Sequence, residues 1–110
     1  MARTEIILMK ITPFQRKVYA LLKKVPKGKV TTYGALAKKL KSSPRAVGQA
    51  LRVNPYAPKV PCHRVVSSDG SIGGFRGKTQ GKAVREKIGL LRKEGIKIIN
   101  GRVEKSSFSF

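Results

Sequence analysis

The chain has 110 residues, 40% of them hydrophobic, and carries 25 Lys and Arg against 5 Asp and Glu, a formal net charge of +20. That length suits one compact domain with a modest core, the single cysteine excludes an internal disulfide, and no apolar run has transmembrane length or the pattern of a secretory leader. So positive a field attracts polyanions, nucleic acid first among them; an anionic membrane surface is the rival, and thermophile-like lysine enrichment would bring matching glutamate, which is missing.

In chain order, Ile6-Ile7-Leu8-Met9 is an apolar run long enough for one strand or docking segment. Thr12-Pro13 reads as the N-cap and first turn of a helix. Phe14, Val18, Leu21, Leu22 and Val25 then recur on one apolar face, and Pro26-Lys27-Gly28 ends the pattern. This helix is scaffold. Thr32 caps a second helix to about Leu40, with Leu36, Ala37 and Leu40 inward. Ser42-Ser43-Pro44 turns the chain into a third helix through about Val53, whose core face is Val47, Ala50 and Leu51. Arg45, Gln49 and Arg52 lie on its other side with Gly48 among them. Two short helices joined by a tight turn, the second with small and basic outward residues, read as a helix-turn-helix. The bland alternative is a helical hairpin with a solvated basic face; the charge of the chain favours DNA contact. Gly48 in mid-helix costs roughly 1 kcal/mol against alanine, and its missing side chain would let the helix approach a phosphate backbone closely.

Asn54-Pro55-Tyr56-Ala57-Pro58 is a turn-rich link. It leads into Pro61-Cys62-His63-Arg64-Val65-Val66, which holds the only cysteine and, beside it, the only histidine. A thiol next to a base is the minimal equipment of a nucleophile; the alternative is a buried structural cysteine. Pro61 stiffens the entry, and Val65-Val66 should continue as a short strand with Cys62 partly buried at its edge. Asp69-Gly70 supplies turn chemistry, and Ile72-Gly73-Gly74-Phe75-Arg76-Gly77 is a glycine-rich stretch expected to line a pocket. The last helix runs from about Gly81 to Lys93 with Val84, Ile88 and Leu91 inward. Glu94, three residues past Leu91, then points inward at a helix C-terminus, where the dipole disfavours an anion. A buried carboxylate needs a partner, and His63 is the candidate; the alternative is a surface glutamate paired with one of many lysines. Gly95 caps this helix, Asn100-Gly101 predicts a small hairpin with the Ile6 to Met9 run as its candidate pairing partner, and the Ser106 to Phe110 tail is expected to fray.

Five of these stretches, in this order, carry a resemblance. They are Gly28-Lys29-Val30-Thr31-Thr32-Tyr33-Gly34, Arg45 to Pro55, Pro61 to Val66, Ile72-Gly73-Gly74-Phe75, and Leu90-Leu91-Arg92-Lys93-Glu94-Gly95. From about Thr12 to Ile98 the chain resembles the O6-alkylguanine-DNA alkyltransferases, suicide DNA-repair proteins that move an alkyl group from guanine onto their own cysteine. The resemblance implies a mostly α domain with a small β element, built on a helix-turn-helix of winged-helix-like type. It implies one domain over 1–110, with 1–11 and 96–110 peripheral. Relatives usually carry a further domain before the equivalent of Thr12, with a structural metal in some members.

The resemblance also implies roles. Cys62 is the nucleophile, His63 takes its proton through a water, Glu94 orients His63, and Tyr33 donates toward N3 of the base. The carbonyls of Cys62 and Val65 accept from the exocyclic amine. Pro61, Val65, Phe75, Arg76 and Gly77 line the pocket with Tyr33. Phe75 stands where relatives commonly have tyrosine, and Arg76 where they often have a small residue. Lys78 to Gly81 is longer than usual for the family. Arg45 fills the gap left by an extruded nucleotide, Gly48, Gln49 and Arg52 lie in the minor groove, and Ser68 touches phosphate. Asn54 ties the link to the helix-turn-helix. The expected partner is duplex DNA containing O6-alkylguanine, met by a monomer with no metal or small-molecule cofactor, in the cytoplasm or on the nucleoid (the nucleus in a eukaryote). The first rival is a non-catalytic lesion binder, whose known members replace the cysteine. An architectural helix-turn-helix protein and a cysteine hydrolase are further alternatives.

Overall fold

The computed structural model describes residues 11–56, 59–74 and 81–109. The run Ile6 to Met9 and the stretch Phe75, Arg76 and Gly77, with Lys78 to Gln80, lie outside the described residues. Helix α1, Pro13–Leu22, starts as the sequence directs: the Thr12 hydroxyl accepts from the Gln15 amide while the Gln15 side chain accepts from the Thr12 amide. This capping box satisfies two donors that the first turn leaves open. The helix ends sooner than its apolar stripe suggests, at Leu22, so Val25 belongs to the turn that follows and is still fully buried. The stripe recorded burial, and a turn can deliver a buried residue as well as a helix can.

Strand β1, Thr31–Thr32, leads into α2, Tyr33–Leu40, capped by the Thr32 hydroxyl on the Ala35 amide. Lys41 takes the left-handed conformation and turns the chain, and Ser43 caps α3, Pro44–Arg52. Helices α2 and α3 pack on each other and both pack on α1. The first apolar cluster joins Val18, Leu22, Leu36, Val47 and Val65 among others. Tyr19, buried beside them, donates its hydroxyl to the Ala50 carbonyl at 2.7 Å and fixes α1 against α3. The helix-turn-helix expected from caps and turns is therefore present, seated on α1.

Strand β2, Val65–Val66, pairs in parallel with β1, Thr31 opposite Val65 and Thr32 opposite Val66. Cys62 is not at a strand edge as expected: Cys62–Arg64 form one 3₁₀ turn directly before β2. With Pro61 before it and the Arg64 amide donating to the Pro61 carbonyl at 2.9 Å, the chain tightens into a turn there and extends only from Val65. Helix α4, Lys82–Lys93, packs over that turn. Beyond Gly95, strands β3, Ile98–Ile99, and β4, Arg102–Val103, form the expected hairpin, with Asn100 and Gly101 both at positive φ, 53° and 73°. That backbone is what a two-residue turn of the primed kind needs. These elements enclose a second cluster of Val30, Val66, Ile72, Leu91, Ile96, Ile98 and Val103.

The tail does not fray over its described residues. The Val30 amide donates to the Ser107 carbonyl at 2.8 Å, and the Ser109 amide donates to the Val30 carbonyl at 2.7 Å. Phe108 bridges Val30 in parallel and packs on the second cluster. Main-chain bonds hold this segment, so its polar side chains gave no sign of it.

Candidate functional site

Val65 belongs to the first cluster and Val66 to the second, and the Cys62–Arg64 turn leads directly into this pair. Asn54 braces its approach: its side-chain amide donates to the Val60 carbonyl at 3.0 Å, and its side-chain oxygen accepts from the Tyr56 amide at 2.9 Å. It thus ties the end of α3 to the residue before Pro61. Pro61 and Val65 are buried, and Cys62 is a free, half-buried thiol.

His63 is buried, and its Nε2 lies 3.1 Å from Glu94 Oε2. The pairing inferred from helix periodicity is therefore made. It has a third member that sequence reasoning missed. Arg64 Nε donates to Glu94 Oε1 at 2.9 Å, and Arg64 Nη2 donates to Oε2 at 2.7 Å. Its remaining nitrogen, Nη1, donates to the Val25 carbonyl at 3.0 Å. This fork-on-carboxylate geometry is the strong form of an ion pair. Burial pushes the Glu94 carboxyl up, but the hydrogen bonds and charges of Arg64 and His63 outweigh it and leave the group below the usual carboxylate range. Burial moves His63 the other way for a base, downward; the bond and charge of Glu94 oppose this, and the charges of Arg64 and Lys87 add to it, so the net shift is below 6.5. His63 is a neutral base at pH 7. A cleft of about 240 Å³ opens beside it, lined by Lys27, His63, Arg64, Leu90, Lys93 and Glu94.

On the other side of the turn stands Tyr33, the first residue of α2. Its hydroxyl is 3.4 Å from the Gly74 carbonyl, a loose contact. Burial first, then the neighbouring Cys62, raise its pKa above 10, so the phenol keeps its proton. Gly73 has φ +72°, and a Cβ there would meet Tyr33 Cε2 at 3.3 Å. Glycine at this place both adopts the left-handed backbone and makes room for the ring. The Cys62 carbonyl already accepts from the Val65 amide, and the Val65 carbonyl accepts from Lys87 Nζ at 2.6 Å. A carbonyl oxygen has two lone pairs, so accepting one bond does not by itself bar a further donor.

Lys87 is the second group the sequence did not yield. It is fully buried on α4, and besides Val65 it donates to the carbonyls of Ile72 at 2.5 Å and Gly74 at 3.0 Å. Reading α4 as Val84, Ile88 and Leu91 passed over it. Val84, Lys87, Leu91 and Glu94 follow one another at spacings of three and four, which was the available signal.

The residues expected at a DNA surface are together on α3. Arg45, Gln49 and Arg52 are exposed while Val47, Ala50 and Leu51 are buried. A Cβ on Gly48 would find no atom within 4 Å, so the helix surface there is open. Ser68 is exposed, and its hydroxyl lies 3.0 Å from where a Cβ on Gly34, in the first turn of α2, would stand. Among the described residues no group of three His, Cys, Asp or Glu is placed to hold a metal ion. Among them, too, no helix is long and apolar enough to cross a membrane.

Comparison with known proteins finds relatives of this chain. A methylated-DNA--protein-cysteine methyltransferase of Thermococcus sibiricus is 52% identical over 87 residues, 78% of this chain and 46% of the relative. A protein of the same name from Saccharolobus islandicus is 45% identical over 94 residues, 86% of this chain and 58% of the relative. The chain spans about half the length of the curated relatives it matches. Among solved structures, the O6-methylguanine-DNA methyltransferase of Pyrococcus kodakaraensis strain KOD1 superposes with a TM-score of 0.67 at 53% identity, over 77% of this chain and 47% of that one. The S. pombe Atl1 structure, in complex with damaged DNA containing O6-carboxymethylguanine, gives a TM-score of 0.76 at 29% identity, over 93% of this chain and 99% of that one. Residues 13–96 match the family described as 6-O-methylguanine DNA methyltransferase, DNA binding domain, and the chain belongs to that family.

Proposed function

We propose that this chain repairs DNA by direct reversal, moving the alkyl group of an O6-alkylguanine in duplex DNA onto Cys62 once and irreversibly. The observation that carries this reading is the His63–Glu94 contact of 3.1 Å placed beside the sole cysteine. Relatives named methylated-DNA--protein-cysteine methyltransferase support it at 45–52% identity.

The reaction is a displacement at carbon. His63, neutral at pH 7, accepts the thiol proton, and Glu94 holds the ring and stabilises its positive charge. The Cys62 thiolate forms the new C–S bond as the C–O bond to guanine breaks, and the electron pair of that bond goes to the base. Tyr33 keeps its proton and donates it, in a hydrogen bond, to the leaving base. The Cys62 and Val65 carbonyls accept from the exocyclic amine, which selects guanine over adenine. Pro61 lines the same pocket, and Phe75, Arg76 and Gly77 are assigned to it from the sequence. A thioether resists hydrolysis by these groups, so the protein reacts once as a monomer without a cofactor.

Access requires extrusion of the nucleotide, which costs a few kcal/mol of unstacking. Helix α3 lies in the minor groove through Gly48, Gln49 and Arg52, with Arg45 stacked in the vacated position and Ser68 on phosphate. The rival, lesion binding without transfer, draws on the fit to Atl1 along nearly the whole of both chains; the presence of Cys62 opposes it. Intact-protein mass after mixing with excess duplex bearing one O6-methylguanine decides. A gain of one methyl group per chain, mapped to Cys62 and stopping there, is expected. Tight lesion binding with no gain in mass would give the rival the site.

A further inference from the structure

Lys87 is a fully buried ammonium whose bonds among the described residues go to three main-chain carbonyls, those of Val65, Ile72 and Gly74. A buried charge without a carboxylate partner is costly, so an apolar residue would be the expected occupant of this stripe of α4. What the lysine holds explains its place. Val65 opens the strand that follows the Cys62 turn. Ile72 and Gly74 bracket Gly73, which packs against Tyr33, and the Gly74 carbonyl also faces the Tyr33 hydroxyl. The lysine nitrogen itself lies 5.9 Å from the centre of the Tyr33 ring. One donor group therefore joins the strand of the nucleophile, the loop opposite and the phenol.

We infer that Lys87 is a positioning residue whose ammonium fixes the Val65, Ile72 and Gly74 carbonyls, and with them Tyr33, as one wall of the alkyl-transfer pocket. This rests on the alkyl-transfer reading of Cys62. Three carbonyls need three N–H donors, which only the protonated amine has. Burial lowers the lysine to about 8, with the neighbouring Cys62 opposing. Above that pH the neutral amine has two N–H groups, and one carbonyl is released. Among the described residues, Cys62, Tyr33 and His63 are the titratable groups that face it.

The test compares wild type with Lys87→Met, which keeps the length and loses every donor, and Lys87→Gln, which keeps two. Single-turnover methyl transfer from an O6-methylguanine duplex is followed by mass, and its saturating rate constant is separated from the DNA concentration at half-saturation. Loss of wall geometry should lower the saturating rate constant of Lys87→Met by about tenfold or more, with Lys87→Gln between it and wild type. Affinity for undamaged duplex, which depends on α3, should stay within about twofold. The wild-type rate constant should also fall as pH rises through about 8, and this limb should be missing in Lys87→Met. Equal saturating rate constants in wild type and variants would overturn the inference while the alkyl-transfer reading stands. If neither variant folds, as circular dichroism would show, the wild-type pH profile decides: no fall above about 8 overturns it. A wild type that transfers no methyl group at all would overturn both.

Discussion

Glu94→Gln is the substitution that most directly probes the centre of the site. The carboxylate takes three bonds, from His63 Nε2 at 3.1 Å and from Arg64 at 2.9 and 2.7 Å. Glutamine keeps the shape but loses the charge, and its amide places N–H groups against Arg64, which is a donor only. The glutamine oxygen can still accept one N–H, but Arg64 is left a half-buried cation whose counter-charge is gone, keeping of this set its bond to the Val25 carbonyl. Removing one partner of a fully buried pair costs about 3–5 kcal/mol. Here the Arg64 and Glu94 side chains are 15% and 12% exposed and border an open cleft, which brings the cost to the foot of that range or below it. We expect a loss of about 2–3 kcal/mol in urea denaturation at pH 7. The double variant Arg64→Met with Glu94→Gln should recover part of that loss, because the orphaned charge is gone. The folded carboxyl titrates below its unfolded value, so its stabilisation is present above about pH 4.3 and lost as pH falls through the folded value. Glu94→Gln should therefore approach wild type in stability at acid pH. A variant within about 0.5 kcal/mol of wild type at pH 7, or strictly additive single losses, would refute the claim that this pair organises the site.

The remaining predictions concern the groups around it. The alkyl-transfer rate should lose its base on the acid side only below pH 6.5, because His63 is held below that value; Arg64→Met should move this limb upward, and a wild-type limb above 6.5 in a pH–rate profile would contradict the assignment. Lys87 falls from 10.5 to about 8 on folding, so the unfolded chain binds more protons between those values and wild-type stability should rise with pH there. Relative to Lys87→Met, the gain between pH 7 and 10 should be about 2 kcal/mol by urea denaturation, and parallel curves would show that the lysine is not buried as a cation. Gly73→Ala forces an L side chain to φ +72° with its Cβ 3.3 Å from the Tyr33 ring. It should cost about 1–2 kcal/mol of stability and slow transfer, both measurable on one preparation.

What the sequence disclosed followed from local rules. The caps Thr12, Thr32 and Ser43, the proline-started α3 and the Asn100-Gly101 turn each act within a few residues, so the helix-turn-helix and the hairpin were legible. Glu94 was legible because helix periodicity pointed an acid inward in a chain with very few acids. Arg64 was not, because one arginine among 25 cations carries no signal until its partner is in place. Lys87 was hidden by the ordinary expectation that lysine faces water. The parallel pairing of Thr31-Thr32 with Val65-Val66 and the docking of Ser107 to Ser109 on Val30 join segments far apart through main-chain bonds, on which side-chain pattern is silent.

The charges around the turn explain why a basic pocket suits this reaction better than a neutral one. Glu94 is the single anion of the cluster, and Arg64 engages both of its oxygens, so His63 shares Oε2 rather than holding a carboxylate of its own. Burial above all, with the charges of Arg64 and Lys87 adding to it, keeps the imidazole a neutral base despite that shared bond. Arg64, and Lys87 below about pH 8, are positive charges that disfavour imidazolium and favour an anion nearby. In the proposed displacement negative charge begins on sulfur and ends on the leaving base, and it stays beside those cations throughout. Preorganised charge of this kind lowers a barrier without reorganising during the reaction. In that proposed displacement the same cations would favour release of the proton from His63 once the bond to carbon has formed, with the base that has gained an electron pair as its acceptor. A cluster with two carboxylates would hold that proton on the histidine and retard departure of the base; one carboxylate already clamped by Arg64 would release it more readily.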